Sequence, residues 1–164
     1  MDFQIVPMER GHLDQVEALE RLCFPEDPWS RQIFEEAMVD GSAVNLAALG
    51  PEGTVLGYVN CTIVLDEGDV GNVAVHPDWR RQGAASALLD AFRRIGEERG
   101  LDHIMLMVRV SNAPARALYA RHGYEDVGLR KNYYLHPRED AIYMRLELGH
   151  DLQDPDTGRI TAGF

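Results

Sequence analysis

The sequence has few of the features that mark a disulfide-rich, metal-binding or membrane protein. Its two cysteines, Cys23 and Cys61, lie in apolar surroundings without metal-ligand spacing, so we expect buried free thiols and no metal site. No apolar run approaches the roughly 18 residues that cross a bilayer. Residues 1–4 carry neither a basic segment nor an apolar signal core. We therefore expect a cytoplasmic protein without a membrane partner.

Basic residues are also scarce. The chain has 16 Lys and Arg residues against 27 Asp and Glu residues, which gives a formal net charge of −11. Nucleic acids and anionic membranes bind proteins through basic surface that displaces counterions. The charge therefore argues against a nucleic-acid partner and favours a cationic one. A local basic island nevertheless lies in the middle of the chain, formed by Arg80, Arg81, Arg93, Arg94 and Arg99.

The apolar content is sufficient for one folded core. With 164 residues and 45% hydrophobic content, a single domain is the simplest expectation. Apolar spacing predicts a strand, two helices and a hairpin, then strand, helix, strand, helix and two final strands, an α+β domain around a twisted sheet. The final strands are expected to flank a polar loop at residues 130–140. The first helix is expected to bury Leu13, Val16, Leu19 and Leu22.

The middle of the chain, residues 72–100, has the pattern of an anion-binding turn. An apolar strand ends at His76-Pro77, and small residues that follow Arg80 and Arg81 open a helix. The first N–H groups of a helix have no partner within it and lie at the positive end of its dipole, so they can hold a phosphate. An ordinary strand-to-helix turn with two solvated arginines would show the same pattern. The turn has neither the Walker sequence nor the Gly-x-Gly-x-x-Gly spacing of dinucleotide-binding folds.

Short motifs in order along the chain resemble the GCN5-related N-acetyltransferase (GNAT) superfamily. The turn Arg80-x-x-Gly83-x-Ala85 resembles its signature for the pyrophosphate of acetyl-CoA. The other matching motifs are Phe24-Pro25, Trp29-Ser30, Asn72 to Val75, Arg81 to Gly83, Val108 to Asn112, Ala117 to Tyr119, Asn132 to Tyr134 and Arg138 to Ala141. The resemblance implies one N-acetyltransferase domain at residues 1–148, with a mixed twisted sheet of about six to seven strands and about four helices. Residues 149–164 are expected to form a polar tail with little fixed structure.

The resemblance implies acetyl-CoA as the cosubstrate, without a metal, and three segments that bind it. The main chain of Val73, Ala74 and Val75 would hydrogen-bond the pantetheine arm as an added strand would. Asn112 would contact the cofactor near the following helix. Taken singly, the two valines would be core residues in any fold and Asn112 would be a helix cap. The pyrophosphate would lie on the turn formed by Arg81, Gln82, Gly83, Ala84, Ala85 and Ser86.

The resemblance also implies that Tyr119 protonates the departing CoA thiolate. Taken alone, Tyr119 would be a core aromatic residue with its hydroxyl at the edge of the core.

Related sequences carry a glutamate as general base directly before Val-Arg, where this chain has Met107. A thioether accepts no proton, so another residue acts, or the base is dispensable, or the chain is an engineered or inactive variant. The candidates for a relay are Asp66, Glu67, Asp69 and His103.

Four aromatic residues are candidates for the acceptor pocket. Phe24 and Trp29 lie between the first two helices, whereas Tyr133 and Tyr134 resemble family tyrosines that hold the backbone of a peptide. Core or surface packing would explain each pair as well. A protein α-amine needs about 3 kcal/mol less free energy than a lysine side chain to reach its neutral form at pH 7.5. An enzyme short of a base should therefore prefer α-amines.

The activity that the resemblance implies is acetylation of the N-terminal α-amine of a protein, with the N-terminal alanine of a small-subunit ribosomal protein as the expected acceptor. A monomer is expected. Two alternatives stay open. The first is acetylation of a small free amine or amino acid, against which a peptide pocket would argue. The second is a weakly active, acetyl-CoA-binding regulatory protein, which Met107 makes credible and which turnover would exclude.

Overall fold

The computed structural model describes residues 3–149, in which seven strands form one mixed sheet and four α-helices pack on its two faces. The expected sheet and helix counts are therefore confirmed, whereas the predicted tail at residues 149–164 lies outside the described residues beyond Gly149. The strands are β1 (Gln4–Pro7), β2 (Ala43–Leu49), β3 (Val55–Val64), β4 (Glu67–Val75), β5 (His103–Arg109), β6 (Glu125–Leu135) and β7 (Arg138–Glu147). The helices are α1 (Leu13–Cys23), α2 (Arg31–Val39), α3 (Ala84–Glu98) and α4 (Ala113–Arg121).

Capping residues fix where three of the helices begin. The Ser30 side chain accepts a hydrogen bond from the backbone N–H of Ile33 at the start of α2, and Asn112 accepts one from Ala115 at the start of α4. Each cap satisfies an N–H group that has no acceptor inside its helix. Helix α3 begins differently, because Gly83 precedes it in the left-handed region at φ 93°. None of the helices in residues 3–149 is long and apolar enough to cross a membrane.

The two faces of the sheet bury separate apolar clusters. On one face, Leu88 and Phe92 of α3 pack against the sheet together with Leu106 of β5. On the other face, helices α1 and α2 cover β3 and β4, with Phe34 and Tyr58 among the fully buried side chains. The sheet is thereby fixed from both sides over its centre.

One strand pair departs from the antiparallel pattern of the rest. The sheet order is β1-β2-β3-β4-β5-β7-β6, and only β4 and β5 run parallel. Their register extends from Glu67 opposite His103 to Val70 opposite Leu106. Both strands continue beyond that point, β4 to its end at Val75, but they no longer pair with each other. The two strands therefore splay and leave an open edge on β4.

A β-bulge lies where the splay begins. Val59 of β3 pairs with Val73 and Cys61 pairs with Val70, so Asn60 alone faces residues 71–72 of β4. Position 71 is a glycine, and a Cβ atom there would come within 3.1 Å of the Asn60 carbonyl oxygen. A bulge bends and twists its strand. Here it turns the end of β4 away from β5.

Several sequence-based expectations need correction. Leu22 is 52% exposed, and Glu20 is buried on α1 instead, because the 3.6-residue helical period moves away from strict three-residue steps. Strands β6 and β7 run through the expected polar loop at residues 130–140, since an exposed edge strand carries polar side chains as a loop does. The cysteines are both free, as expected, but only Cys61 is fully buried and Cys23 keeps partial contact with solvent.

Candidate active site

The open edge of β4 carries the main-chain groups predicted to bind the pantetheine arm. The N–H of His76 donates to the Leu56 carbonyl on β3 at 2.8 Å. Because alternate residues of a strand direct their N–H and C=O groups to the same side, Ala74 also faces β3 while Val73 and Val75 face the splay. The Val75 carbonyl already accepts a hydrogen bond from Arg80 Nε at 3.1 Å. The other main-chain groups of the two valines remain the natural partners for a ligand.

The turn between β4 and α3 presents the free end of a helix. Arg81 and Gly83 both have positive φ, at 64° and 93°, and the Ala87 N–H makes the first helical bond, to the Gly83 carbonyl. The N–H groups of residues 84–86 therefore have no acceptor within the helix. Together with the helix dipole they form a cradle that fits a pyrophosphate, so the predicted turn residues are brought together as the sequence suggested.

A chain of polar side chains ties this turn to α4. His122 Nε2 lies 2.9 Å from Ser86 Oγ, and His122 Nδ1 lies 3.2 Å from Asp90 Oδ1. Ser86 is one of the predicted pyrophosphate residues, and its hydroxyl is thus fixed by a residue at the C-terminal end of the neighbouring helix. Asn112 lies at the other end of α4, where its side-chain oxygen caps the helix. Because this oxygen is occupied, the Asn112 side chain would contact a cofactor through its amide nitrogen.

Tyr119 lies on α4 with its side chain in the core. It is 8% exposed, and its ring packs against Tyr124 at 5.9 Å between centroids. Burial, with a smaller effect from Tyr134, raises the pKa of Tyr119 to about 12. The hydroxyl therefore keeps its proton at physiological pH. Burial would also raise the pKa of a CoA thiol at this place, because it disfavours the charged thiolate. The two pKa values therefore rise together, and burial does not by itself prevent proton transfer from the tyrosine to the sulfur.

Met107 lies on β5, opposite Tyr143 of β7 and on the sheet face away from α3. The neighbouring Met105 on this face accepts a hydrogen bond from the Tyr143 hydroxyl at 3.5 Å. Strand β5 has the sequence His-Ile-Met-Leu-Met-Val-Arg, so it carries no carboxylate that could replace the glutamate of related sequences. His103 is four residues away from Met107 at the far end of β5, where it pairs with Glu67 and Asp102.

Trp29 forms one wall of the candidate acceptor pocket. Its indole packs on Phe34 at 5.5 Å, and its tip lies about 4.0 Å from where a Cβ atom of Gly71 would be, over the bulge in β4. Phe24, at the other end of the same loop, is 36% exposed. The structure thus brings Trp29 to the splay and leaves Phe24 at the surface.

Tyr133 and Tyr134 lie at the end of β6, and not on a loop as expected. Their rings are 5.0 Å apart, and Tyr133 is half-exposed. The guanidinium of Arg109 stacks on the Tyr134 ring at 4.2 Å. Burial, reinforced by Tyr133, raises the pKa of Tyr134 to about 12. Tyr134 also contributes to the raised pKa of Tyr119.

Two residues at this site were missed by sequence reasoning. Glu20 is fully buried, and it accepts hydrogen bonds from the Trp29 backbone, the Asn72 side chain and the Tyr58 hydroxyl. Arg109 binds the carbonyl oxygens of His136 and Pro137 and the carboxylate of Glu139, so it holds the β6–β7 turn against β5. A carboxylate within the apolar face of α1 was the available signal for Glu20.

A splayed parallel strand pair, followed by a helix whose free N–H groups can hold a pyrophosphate, is the arrangement expected of an acetyl-CoA-dependent acetyltransferase. Within residues 3–149 no group of three or more potential ligands is arranged to hold a metal. The Acetyltransferase (GNAT) family model matches residues 13–124, and the chain belongs to this family.

Named relatives agree with this assignment. The chain is 39% identical over 123 residues to the ribosomal protein bS18-alanine N-acetyltransferase of Escherichia coli (strain K12), which covers 74% of this chain and 82% of the relative. The corresponding Salmonella typhimurium protein is 35% identical over the same shares of the two chains. The crystal structure of the E. coli ribosomal-protein-S18-alanine N-acetyltransferase superposes with a TM-score of 0.82 at 32% identity, covering 93% of this chain and all of the other.

Proposed function

We propose that this protein transfers the acetyl group of acetyl-CoA to the N-terminal α-amine of a protein, with the alanine terminus of ribosomal protein bS18 as the acceptor. The observation that carries the proposal is the open edge of β4 at Val73 and Val75, which leads directly to the free N–H groups at the start of α3. The relatives named for this reaction support the choice of acceptor.

The site supplies what acyl transfer from a thioester requires. The pantetheine arm lies along Val73 and Val75, and its pyrophosphate lies on residues 84–86. Main-chain N–H groups of the β4 edge are the donors for the oxyanion that forms when the amine attacks. Tyr119, buried on α4, gives its proton to the sulfur as the C–S bond breaks.

The acceptor wall favours a peptide over a small free amine. Trp29, on the α1–α2 loop, lies against Gly71 of β4, and Tyr133 and Tyr134 on β6 would add a second aromatic wall. The chain's negative charge suits a cationic N-terminal segment. An α-amine also reaches its neutral, nucleophilic form with about 3 kcal/mol less free energy than a lysine side chain.

The proposal extends to the domain organisation, the oligomeric state, the location and the partners of the protein. Residues 1–148 form one acetyltransferase domain, and the chain acts as a monomer in the cytoplasm without a nucleic-acid partner. The excess of acidic over basic residues supports the last statement, because binding along a nucleic-acid backbone needs many Lys and Arg residues to neutralise its phosphates.

The test is mass spectrometry of N-terminal peptides incubated with the protein and acetyl-CoA. A panel of peptides that differ only in the first residue is compared with a peptide blocked at its α-amine but carrying an internal lysine, and with free alanine. We expect acetylation of the alanine-terminated peptide and little on the other two. Preferred turnover of free alanine, or of the lysine peptide, would contradict the proposed acceptor. Absence of any turnover would favour the regulatory alternative.

A further inference from the structure

The splayed site has no carboxylate at Met107, so the proton of the acceptor ammonium must leave by another route. Asp66, Glu67, Asp69 and His103 were the sequence candidates, and their positions along the strands now separate them. Asp66 lies in the turn before β4, and its backbone carbonyl binds the N–H of Asp102. Glu67 and His103 are opposite one another at the closed end of the β4–β5 pair. At about 3.3 Å per strand residue, His103 is about 13 Å from Met107.

Asp69 occupies a different place. Its register partner on β5 is Met105, two residues before Met107. The Cα atoms of the register partners Asp69 and Met105 are about 4.8 Å apart, and Met107 lies about 6.6 Å further along β5. Partners in register share a face, and alternation puts Met107 on that face too. The neighbours Val70 and Leu106 fill the core on the opposite face. Asp69 therefore shares the open face with the missing base and borders the splay.

The Asp69 carboxylate is available for proton transfer. The residue keeps contact with solvent, and no side chain in residues 3–149 forms an ion pair with it. Desolvation by the surrounding sheet raises the pKa of the Asp69 carboxyl above its ordinary value, which makes its carboxylate a stronger base than a free aspartate. Glu20, the other carboxylate near the bulge, is fully buried, and its oxygens already accept hydrogen bonds from Trp29 and Asn72.

Charged groups that face Asp69 are already paired among themselves. Glu67, on its own strand, and His103, on β5, lie 3.4 Å apart. On β7 the nearest charge is Arg145, which is the register partner of Met105 and which pairs with Asp102 and Glu147. On β3 the register partner of Asp69 is the uncharged Thr62. The Asp69 carboxylate is thus the unpaired acid of this surface within the described residues.

We propose that Asp69 is the general base of this enzyme and accepts the proton of the acceptor α-ammonium, directly or through one water. The step is balanced: the ammonium gives one proton to the Asp69 carboxylate, the neutral amine forms the C–N bond, and the C–S bond breaks as Tyr119 protonates the sulfur. The second proton that the nitrogen loses on becoming an amide restores the Tyr119 hydroxyl. The Asp69 proton then leaves to solvent. This inference rests on the proposed function only in requiring that an amine be acetylated.

The test compares three variants with the wild type. Asp69→Asn removes the base while keeping the side-chain shape. Glu67→Gln is the matched control, because it makes the same change of charge two residues earlier on the same strand and face. The double variant Asp69→Asn with Met107→Glu places a carboxylate at the position that lacks one. For each variant, kcat is measured from pH 6 to pH 9.5 with the best amine acceptor of the wild type, together with the Kd for CoA.

In Asp69→Asn, kcat is expected to fall about 100-fold at pH 7, since a positioned base contributes about 10²- to 10⁴-fold. The deficit should shrink towards pH 9, where the α-amine deprotonates unaided. Affinity for CoA and the activity of Glu67→Gln should stay near wild type, and the double variant should regain at least about 10-fold.

Two results would overturn the assignment. One is a wild-type kcat and pH profile in Asp69→Asn. The other is a deficit of equal size at every pH, which would indicate a structural role. Failure of the proposed function looks different, because the wild type would then bind CoA and acetylate another class of amine. Asp69→Asn would still be tested with that amine.

Discussion

The backbone N–H of Trp29 donates a 2.8 Å hydrogen bond to the buried carboxylate of Glu20. The same carboxylate accepts both contacts of the Asn72 side chain, each at 3.2 Å, at the bulge of β4. Glu20 therefore joins the α1–α2 loop to the strand that forms the cofactor edge. Trp29, which forms one wall of the candidate acceptor pocket, and the bulge of β4 are thus held by one hydrogen-bond network.

Replacement of Glu20 by Gln should lower the free energy of unfolding by about 1–3 kcal/mol, because an amide oxygen cannot satisfy all the donors that the carboxylate accepts. Urea unfolding measures this. Glu17→Gln is the control, since Glu17 lies one turn earlier and pairs with Arg21 at the helix surface. An equal loss in both variants would mean that the buried network contributes nothing specific.

The effect of Glu20→Gln should also depend on pH. Burial raises the pKa of Glu20 above its ordinary value of 4.5, so the native state keeps this proton to a higher pH than the unfolded chain does. The resulting stabilisation is complete below about pH 4.5 and is lost as pH rises through the native pKa. The variant lacks it. The stability difference between wild type and variant should therefore be larger at pH 4.5 than at pH 8, and a constant difference would contradict the shift.

The Gly83→Asp variant should lose CoA affinity, because it puts a side chain and a negative charge against the expected pyrophosphate. Part of its effect on stability comes from the positive φ of 93°, which costs about 1–2 kcal/mol for a residue other than glycine. Gly100→Asp is the matched control, since Gly100 also has positive φ, with open space around it and at the far end of α3. Calorimetry should show weakened CoA binding in the first variant only. Unchanged binding in both would refute the phosphate cradle.

The Tyr119→Phe variant should keep its stability and lose turnover by about 100-fold or more, the usual contribution of a positioned acid. Only the hydroxyl is removed, and the ring contact with Tyr124 remains. Tyr124→Phe makes the same change in the adjoining buried ring, whose pKa burial also raises, and should leave turnover near wild type. If kcat is the same in both variants, Tyr119 is a packing residue.

Ser86→Ala and His122→Ala should weaken acetyl-CoA binding by a similar factor, about 10-fold for one hydrogen bond to a charged group. His122 fixes the Ser86 hydroxyl, so the double variant should be no weaker than either single one. Acetyl-pantetheine lacks the pyrophosphate, and its kcat/KM should not change in these variants. Additive losses, or equal losses with acetyl-pantetheine, would show that His122 acts through the general packing of α4.

The sequence was informative where local pattern decides the structure. Apolar spacing located the strands and helices, and the cap at Ser30 and the turn at Gly83 were visible as residue types. The three-residue spacing used for α1 predicted that Leu22 is buried and missed Glu20, because a helix face does not repeat every three residues. Tyr133 and Tyr134 were placed on a loop because the surrounding edge strand is polar and exposed.

The pairing of strands that are far apart in the chain could not be predicted from local sequence patterns. The position of Asp69 opposite Met105 depends on the register of two strands separated by α3. The bulge that ends this pairing depends on the way Asn60 faces two residues at once. The four relay candidates were therefore equivalent in sequence, and only the register of the sheet distinguishes them.

The gap between β4 and β5 would let the cosubstrate complete the sheet, if the pantetheine arm binds along Val73 and Val75 as proposed. Ligand that binds only the folded chain then raises the melting temperature with the logarithm of its concentration, once that concentration exceeds the dissociation constant. Acetyl-CoA and CoA carry the same arm and the same pyrophosphate, and the gap does not distinguish them. Product would therefore compete with donor for the same edge, and with both at saturating concentration the rate of acetylation would follow the ratio of acetyl-CoA to CoA.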